Sequence, residues 1–383
     1  MKTAFVIGGG IGGLAVATAL AQRGMAVTLA EQAAEVSEVG AGIQVSPNGL
    51  RVLQALGLEG ALDNKGAVQG QAVVLRDYAA AAEVARLDLT RLEDQRYLFV
   101  HRADIIDILA QAAHGSGVSI ELGQRVRDVR PGKPPRVDFV QGGCATADLV
   151  VCADGLHSVG RIAVNGSTEA RFTNQVAWRA VVPARDPVSE VKVTMGPGRH
   201  MVCYPLRGGT LMNIVAVEER SGWAEEGWHL RDDPGNLRRA FAAFAGPVQD
   251  LLAQVRDVHL WGLFRHPVAE TWTKGGVALL GDAAHPTLPF LAQGANMALE
   301  DAYALALSVT DGHGLESYEA KRRQRTKRIV DVASGNARKY HLRPGLVRSA
   351  AHLALSLGSK TAPGLMLRQF DWLYRYDVCK DRF

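Results

Sequence analysis

One stretch of the chain, residues 281–301, combines the residue types that a cofactor site requires. It reads GDAAHPTLPFLAQGANMALED and follows an apolar run at residues 276–280, so it predicts a strand, a Pro-rich loop and a helix start. Asp282 would lie at the strand end and could bind a hydroxylated chain, while the unpaired N–H groups of the helix start could hold acceptor atoms. An ordinary strand-to-helix connection has the same pattern, so both interpretations are open.

A second stretch, near the N-terminus, predicts a dinucleotide site. Gly8, Gly10 and Gly13 fit the pattern G-x-G-x-x-G between an apolar strand and an Ala/Leu-rich helix. The first glycine of this pattern turns the chain, the second admits a pyrophosphate and the third packs the helix on the strand. Glu31 closes the next predicted strand, 18 residues after Gly13 (31 minus 13), where an acid can bind ribose hydroxyls. This acid favours a dinucleotide site over a tight turn.

Three shorter segments could contribute to the same site. Residues 40–48 are glycine-rich and end in a Pro-Asn helix start, so their backbone could approach a flat ligand closely. Arg102 lies at the first turn of a predicted helix, either as a surface charge or as a ligand of an anion. Asp154 and Gly155 follow a buried apolar strand, where an Asp-Gly pair commonly forms only a turn.

The middle of the chain, residues 172–267, has a different pattern of short strands and turns. This pattern predicts an antiparallel sheet and a second lobe. Strand alternation divides the hairpin around residues 207–210 between two faces. One face holds Met201, Cys203, Met212, Ile214 and Ala216, and the other holds Val202, Tyr204, Leu211, Asn213 and Val215.

Length and charge exclude several classes of protein. A chain of 383 residues is long for one core, which predicts two lobes. The net charge is only +4, and the basic cluster at residues 321–328 has no interleaved aromatics, so a solvated helix face is favoured over a nucleic-acid patch. Five glycines at residues 8–13 argue against a secretion signal, and no other stretch is long enough to span a membrane.

The cysteines give an expectation about the compartment. Cys144, Cys152, Cys203 and Cys379 have neither metal-ligand spacing nor the spacing of a redox pair. A reducing, cytoplasmic location is therefore expected, with no metal.

Taken together, these segments resemble the class A flavoprotein monooxygenases, in particular the branch of salicylate hydroxylase and hydroxynicotinate monooxygenase. The resemblance covers nearly the whole chain and rests on GDAAHPTLPFLAQGAN, on CADGLHS at residues 152–158, on HRAD at 101–104 and on FDWLY at 370–374. It implies an α/β fold, with a Rossmann-like FAD-binding domain, an antiparallel β-sheet substrate domain and C-terminal helices. The expected boundaries are residues 1–171 and 268–330 for the FAD domain, 172–267 for the sheet and 331–383 for the C-terminal segment.

The resemblance also implies which residues bind FAD. The three glycines would face the pyrophosphate, Glu31 the adenosine ribose, and Arg102 the phosphates or ribityl chain. The backbone of Val126 would meet the adenine, Asp282 would bind the ribityl or pyrophosphate region, and the N–H groups of Ala295 and Asn296 would meet the flavin pyrimidine carbonyl. Further cofactor candidates are Gly42, Asp154 and Gly294.

The implied reaction is hydroxylation of a small phenolic or hydroxy-aromatic acid. NADH or NADPH, bound transiently, would reduce FAD, and dioxygen would form a flavin hydroperoxide that attacks the ring. The substrate candidates are Cys203, Met212, Ile214, Ala216 and Gln44, a set without the His or Tyr that relatives use to polarise a phenol. The catalytic candidates are Pro289 in the Pro-rich loop at residues 286–294, which we call the flavin loop, and His285 beside it, for which a structural role is equally open.

Two other functions stay open at this stage. One is an epoxidase or reductase that acts on an apolar substrate on the same scaffold, and the other is a catalytically silent flavin-binding module. The expected partners are a small aromatic substrate and dioxygen, without nucleic acid or a membrane span. The expected assembly is a monomer or a homodimer.

Overall fold

The computed structural model describes residues 1–36, 41–92, 95–184, 188–222 and 230–381, with only the backbone at 337 and 338. Gly40, from the glycine-rich segment at residues 40–48, lies outside these residues.

A six-stranded sheet forms the centre of the first domain. Its strands, in spatial order, are β19 (Thr273–Lys274), β20 (Val277–Leu279), β12 (Leu149–Cys152), β1 (Thr3–Ile7), β2 (Ala26–Ala30) and β8 (Ser119–Glu121). Neighbouring strands are parallel except for β19 and β20. β12 and β20 are buried along their whole length, as continuous apolar runs in a parallel sheet predict.

Helices and two small sheets surround this core. The helices of this domain are α1 (Ile11–Gln22), α2 (Pro47–Ala55), α3 (Glu59–Asn64), α4 (Arg102–Gly115), α5 (Val159–Asn165) and α8 (Gly294–Thr310). One small sheet has the order β3 (Gly42–Val45), β7 (Leu98–His101) and β4 (Val68–Gln69). The other has the order β11 (Cys144–Thr146), β10 (Arg136–Phe139) and β9 (Val126–Arg130). α1 packs between α4 and α8, which brings the N-terminal glycine loop close to the segment that follows β20.

An eight-stranded sheet forms the second domain. Its order is β17 (Arg231–Asp232), β18 (Val258–Arg265), β13 (Arg171–Pro183), β16 (Leu211–Glu219), β15 (Arg199–Leu206), β14 (Glu190–Gly196), β5 (Ala72–Asp77) and β6 (Glu83–Asp88). The expected division of the chain is corrected here, because β5 and β6 come from the segment that was assigned wholly to the FAD domain. β5 pairs in parallel with β14, and the other pairs are antiparallel.

One face of this sheet is covered by two short helices, α6 (Pro234–Ala240) and α7 (Gly246–Leu252). The side chains packed beneath these helices include Met201, Cys203, Ile214 and Ala216, with Met212 at the margin. The opposite face, which carries Tyr204 and Asn213, lies against the first domain: a Cβ atom on Gly42 would be only 2.6 Å from the Tyr204 ring. The sheet therefore has one structural face and one face directed at the cofactor domain.

The described part of the C-terminal segment contains four helices. They are α9 (Leu315–Tyr340), α10 (Leu346–Thr361), α11 (Pro363–Arg368) and α12 (Asp371–Tyr374). α9 and α12 pack on the first domain, and α10 and α11 pack on β6 of the eight-stranded sheet. α9 crosses the expected boundary at residue 330. The Arg325 guanidinium donates to the carbonyls of Trp372 (2.9 Å) and Leu373 (3.0 Å), which ties the tail to α9. Within the described residues, no helix has the length and hydrophobicity needed to cross a membrane.

Candidate active site

The N-terminal glycine loop has the geometry that its spacing predicts. Gly8 has φ +100°, and a Cβ atom there would be 2.5 Å from the Ala153 carbonyl oxygen. A Cβ atom on Gly13 would be 1.9 Å from the Gly8 carbonyl oxygen. Gly10 instead has no atom within 4 Å of such a Cβ, and it begins α1 without a side-chain cap. Two glycines thus allow close packing, and the third leaves open space at an uncapped helix N-terminus.

Glu31 joins this loop to the end of β2. Its carboxylate accepts hydrogen bonds from the backbone N–H of Gly9 (2.6 Å) and of Ala33 (2.8 Å). Its carbonyl accepts from the Gln124 N–H at 2.8 Å, so the segment that leads to Val126 at the start of β9 lies directly beside it. The structure therefore brings together the residues predicted for the adenosine end.

Asp154 lies at the glycine loop but points away from the open space. Its carboxylate accepts from the Ser158 hydroxyl and from the N–H groups of Val159 (2.9 Å) and Gly160 (3.3 Å), so it caps α5. Burial raises the pKa of Asp154, and these hydrogen bonds oppose the rise. This carboxylate is used within the protein, which agrees with the turn interpretation of the Asp-Gly pair.

Asp282 occupies the short turn that follows β20, Gly281–Ala283. This residue is exposed, although its two neighbours are buried. The surrounding protein raises the pKa of Asp282 by desolvation, and the nearby His285 and Arg102 oppose that rise. Two candidates that are 180 residues apart in the chain (282 minus 102) therefore meet at one place.

His285 is placed differently from the expectation that it could act on a substrate. It is fully buried, its Nε2 binds the Asp301 carboxylate, and its ring lies 5.2 Å from that of Trp272. Asp301 also binds Arg322 at 2.7 Å. Burial tends to raise the pKa of Asp301, but His285 and Arg322 outweigh this effect, and the pKa lies below its ordinary value. The structural alternative is favoured: His285 holds the flavin loop against α8.

The start of α8 is uncapped and is joined to β3 by a polar web. No side chain caps the N-terminus at Gln293, which leaves the N–H groups of Gly294 and Ala295 without a capping side chain. The Asn296 side-chain amide donates to the carbonyls of Gln44 (2.9 Å) and Ala292 (2.8 Å), and its oxygen accepts from the Ser46 N–H (3.0 Å). The side chain of Asn296 therefore positions β3, and only the backbone is available for a ligand.

Asn48 extends this web into the core, and the sequence did not indicate it as a site residue. Its amide donates to Glu300 (2.6 Å) and Gln293 (3.1 Å), and its oxygen accepts from the Ser46 hydroxyl (2.7 Å). All four side chains are essentially inaccessible to solvent. The web fixes the spacing between β3 and the flavin loop.

Tyr204 and Gln44 form the polar part of the inward face of the sheet. Tyr97 donates its hydroxyl hydrogen to the Gln44 carbonyl oxygen at 2.7 Å, and Gln44 hydrogen-bonds the Tyr204 hydroxyl. Tyr97 is hydrogen-bonded in turn to Tyr374 of the C-terminal tail. Burial raises the pKa of Tyr204, while Arg179 and the Gln44 hydrogen bond oppose the rise. The Tyr204 hydroxyl therefore stays protonated at neutral pH.

Asn213 lies beside Tyr204 and contacts the start of β3. Its oxygen accepts from the Gly42 N–H at 2.7 Å, and its buried Nδ2 has no hydrogen-bond partner within the described part of the chain. A buried donor without a partner is costly, and it is satisfied when a bound molecule brings an acceptor.

Four predicted substrate residues lie on the wrong side of the sheet, and this is a correction. Cys203, Met212, Ile214 and Ala216 pack beneath α6 and α7, away from Gly42 and the flavin loop. Burial raises the pKa of the Cys203 thiol to about 11, so it is inert as well as remote. The inward face belongs to the other set of alternating residues, which contains the tyrosine that seemed to be missing.

The loop that contains Pro289 closes the site against this inward face. Pro289 begins a short turn, and the adjacent Leu288 and Phe290 pack with Val217 and Trp261 of the sheet. The loop therefore lies between the start of α8 and the sheet face that carries Tyr204.

The residues present fit an FAD molecule. The open space at Gly10, the two uncapped helix starts and the exposed Asp282 lie along the edge of one parallel sheet, and Asn213 adds a buried donor without a partner. Ligands of doubly wound folds bind at this carboxyl edge of the strands.

This arrangement defines the class of the protein as a flavin-binding oxidoreductase. The chain belongs to the FAD binding domain family, whose model matches residues 1–333. The resemblance to class A flavoprotein monooxygenases is thereby confirmed, and FAD is the cofactor.

Known proteins are similar over nearly the whole length. The 3-amino-4-hydroxybenzoate 2-monooxygenase of Streptomyces cremeus is 37% identical over 362 residues, which cover 89% of this chain and 88% of that protein. The 3-hydroxybenzoate 6-hydroxylase 1 of Aquipseudomonas alcaligenes is 32% identical over 96% of each chain. The crystal structure of Klebsiella pneumoniae HpxO, complexed with FAD and uric acid, has a TM-score of 0.84 at 27% identity and covers 97% of each chain.

Proposed function

We propose that this protein is an FAD-dependent monooxygenase that uses NADH or NADPH and dioxygen to hydroxylate a small aromatic ring carrying a hydroxyl group. The two named relatives act on hydroxybenzoates. One observation in this chain supports the proposal. Gln44 hydrogen-bonds the hydroxyl of Tyr204 on the sheet face beside the flavin loop.

The direction of the hydrogen bonds makes Tyr204 a donor toward the substrate. The Gln44 carbonyl already accepts from Tyr97, so its amide N–H is the group that faces the Tyr204 oxygen. The Tyr204 hydrogen then remains for an oxygen atom of the substrate. A donor at this place stabilises the phenolate form of a substrate whose hydroxyl has lost its proton to solvent, and a phenolate ring is more reactive toward an electrophile than the neutral phenol.

Arg179 supports a substrate that also carries a carboxylate. It lies on the inward face, 4.5 Å above the Trp261 ring, and its charge acts on Tyr204. A guanidinium stacked on an aromatic ring is suited to a planar carboxylate. A hydroxybenzoate-type acid is therefore the substrate class that we propose.

The residues around the cleft would hold the cofactor. When bound, FAD would accept electrons from NADH or NADPH and pass them to dioxygen, which is the source of the oxygen atom. The uncapped start of α8, at Gly294 and Ala295, would place backbone donors and the positive end of the helix dipole against the flavin carbonyls. Asp282 and Arg102 would bind the hydroxyl and phosphate groups, and the glycine loop the pyrophosphate.

The alternative of an apolar alkene substrate is disfavoured by the same face of the sheet. An apolar substrate would leave the Tyr204 donor without an acceptor from the ligand, which costs binding energy. We also propose a cytoplasmic location, which is supported by four cysteines that occur as free thiols.

A substrate screen tests the proposed function. The purified protein is incubated with NADH or NADPH and a panel of hydroxybenzoates, aminohydroxybenzoates, phenols without a carboxylate, and apolar alkenes. We expect NAD(P)H consumption coupled to a gain of one oxygen atom, measured by mass spectrometry, only with the hydroxybenzoates and aminohydroxybenzoates. Epoxide formation from the alkenes, or no consumption with any compound, would contradict the proposal.

A further inference from the structure

The turn before the flavin loop is held by Asp301 of α8. The Asp301 carboxylate accepts a hydrogen bond from the Gly281 N–H at 3.3 Å and binds Nε2 of His285. Gly281 and His285 enclose the turn that contains Asp282, and the His285 N–H donates to the Gly281 carbonyl at 2.9 Å. Asp301 and His285, which we call the Asp301 arm, therefore fix the turn that presents Asp282.

The end of the flavin loop is held by the adjacent acid, Glu300. The Asn48 amide donates to Glu300 at 2.6 Å and to the Gln293 oxygen at 3.1 Å. The Ser46 hydroxyl donates to the Asn48 oxygen at 2.7 Å and accepts from the Gln293 amide at 2.9 Å. Gln293 directly precedes the uncapped start of α8 at Gly294. Glu300, Asn48 and Ser46, which we call the Glu300 arm, therefore fix the backbone donors of this helix start.

Arginines of α9 help to keep both carboxylates charged. Glu300 and Asp301 are fully buried, and the Arg322 guanidinium lies 2.6 Å from Glu300 and 2.7 Å from Asp301. Arg325 donates two further hydrogen bonds to Glu300, at 2.8 and 2.9 Å. Burial alone would raise the pKa of each acid, but Arg322, with Arg325 at Glu300 and His285 at Asp301, holds the pKa below its ordinary value. Each acid is thus a charged acceptor in a fixed place.

Stability alone does not account for such a network. Buried charges commonly add little stability over apolar side chains of the same shape, because removing them from water costs about as much as their attraction returns. The two arms do have a distinct geometric effect. The Asp301 arm ends at Asp282, and the Glu300 arm ends at the N–H groups of Gly294 and Ala295. These are different parts of the cofactor site.

We propose that the two arms position opposite ends of FAD and therefore control different properties of the bound cofactor. The donors at the start of α8 stabilise the negative charge that the flavin ring gains on reduction, so the Glu300 arm sets the reduction potential. Asp282 binds hydroxyl groups, whose charge does not change on reduction, so the Asp301 arm sets the affinity for FAD. Because both effects concern FAD and not the substrate, they hold whichever ring is hydroxylated, and they are measured without turnover.

The test of the Glu300 arm measures the two-electron reduction potential of the FAD-loaded protein by equilibration with a reference dye. Asn48→Leu keeps the size of the side chain and removes its hydrogen bonds. We expect reduced FAD to be bound about tenfold less tightly relative to oxidised FAD, which lowers the potential by about 30 mV. Ser46→Ala, a milder change in the same arm, should lower it by about 15 mV, or about threefold. If Asn48→Leu does not fold, Ser46→Ala decides.

The test of the Asp301 arm measures the dissociation constant of FAD by fluorescence titration of the apoprotein. His285→Leu should raise this constant about tenfold, the lower end of the effect expected from losing Asp282 itself. The reduction potential of His285→Leu should stay within about 10 mV of the wild type, which is about twofold. His285→Gln retains an N–H donor for Asp301 and should bind FAD nearly as the wild type does.

A matched control removes an asparagine of the second domain. Asn236 in α6 donates to Asp232 at 2.6 Å, and Asn236→Leu should leave both the potential and the FAD affinity unchanged. Circular dichroism and the thermal midpoint show which variants are folded. Two results would overturn the proposal. One is a wild-type potential in the folded Glu300-arm variants, and the other is an equal fall in potential for Asn48→Leu and His285→Leu, which would indicate only a general loosening of the core.

Discussion

Tyr204 and Cys203 are neighbours in β15 whose side chains lie on opposite faces of the sheet, so a pair of substitutions tests which face meets the substrate. Tyr204→Phe removes one hydroxyl and keeps the ring, which packs 5.3 Å from Phe99. Cys203→Ala removes one sulfur atom beneath α6 and α7. The two variants disturb the same strand and differ in the face that they change.

The size of the expected effect follows from the role of the hydroxyl. Loss of a hydrogen bond to a charged acceptor costs about 1.5–3 kcal/mol, which corresponds to roughly a 10- to 150-fold fall in kcat/KM. For Cys203→Ala, we expect kcat/KM within about twofold of the wild type, and a loss of about 1 kcal/mol in the free energy of unfolding from the small cavity.

Steady-state kinetics with the substrate found in the screen provides the measurement. Because burial raises the pKa of Tyr204, its hydroxyl stays protonated, and the ratio between wild type and Tyr204→Phe should be the same at about pH 6.5 and about pH 8.5. A large change in substrate preference for Cys203→Ala, together with unchanged kinetics for Tyr204→Phe, would refute the assignment of faces.

Three further predictions concern the cofactor, the buried charges and pH. Asp282→Ala should weaken FAD binding about 10- to 150-fold in a fluorescence titration, from the loss of about 1.5–3 kcal/mol; unchanged affinity would exclude its role. Arg322→Met should lower the free energy of unfolding by about 3–5 kcal/mol in urea, because Glu300 (2.6 Å) and Asp301 lose a buried partner, whereas the exposed control Lys327→Met should change it by less than about 0.5 kcal/mol. Burial lowers the pKa of His200, and of its 2.7 Å partner His341, below the ordinary value of 6.5. The unfolded chain therefore takes up protons that the folded chain does not, so the thermal midpoint should be highest above about pH 6.5 and fall as the pH drops below it. His200→Gln should make this fall shallower, and an equal slope would contradict the reasoning.

The cofactor domain could be predicted from the sequence because its signals are local. The spacing of Gly8, Gly10 and Gly13 encodes a turn, an open backbone and a close contact, and the structure shows each of them. The strand, loop and helix around Asp282 are likewise confirmed, with the helix beginning at Gly294. Such features depend on residues within about 20 positions of one another.

The sheet could be predicted only in part, because its faces are decided by distant elements. Alternation correctly separated Cys203 from Tyr204, but it could not tell which set meets the cofactor domain. That choice depends on α6 and α7, which follow later in the chain and cover the side that carries Cys203. The parallel pairing of β5 with β14 is also non-local, because 118 residues separate Ala72 from its aligned partner Glu190 (190 minus 72).

The role of His285 likewise depends on a residue with which it makes contact only in the folded protein. A histidine beside the flavin loop is suited to a catalytic role as well as to a structural one. Asp301, 16 residues later, accepts its hydrogen bond in the core, and no pattern in the sequence marks that contact. Buried polar webs such as that of Asn48 are missed for the same reason, since each member looks like an ordinary turn or helix residue.

The order of strands in the six-stranded sheet has a consequence for how the protein is made. β1 and α1 leave the ribosome first, yet their neighbours β20 and α8 are made about 270 to 300 residues later. At a synthesis rate of roughly 5–20 residues per second, α8 is made about 15 to 60 seconds after α1, and until then it does not cover the apolar side of α1. All strands of the eight-stranded sheet have been made by then. Capture of FAD must therefore wait until α8 has been made, and the apolar side of α1 is accessible to chaperones during that interval.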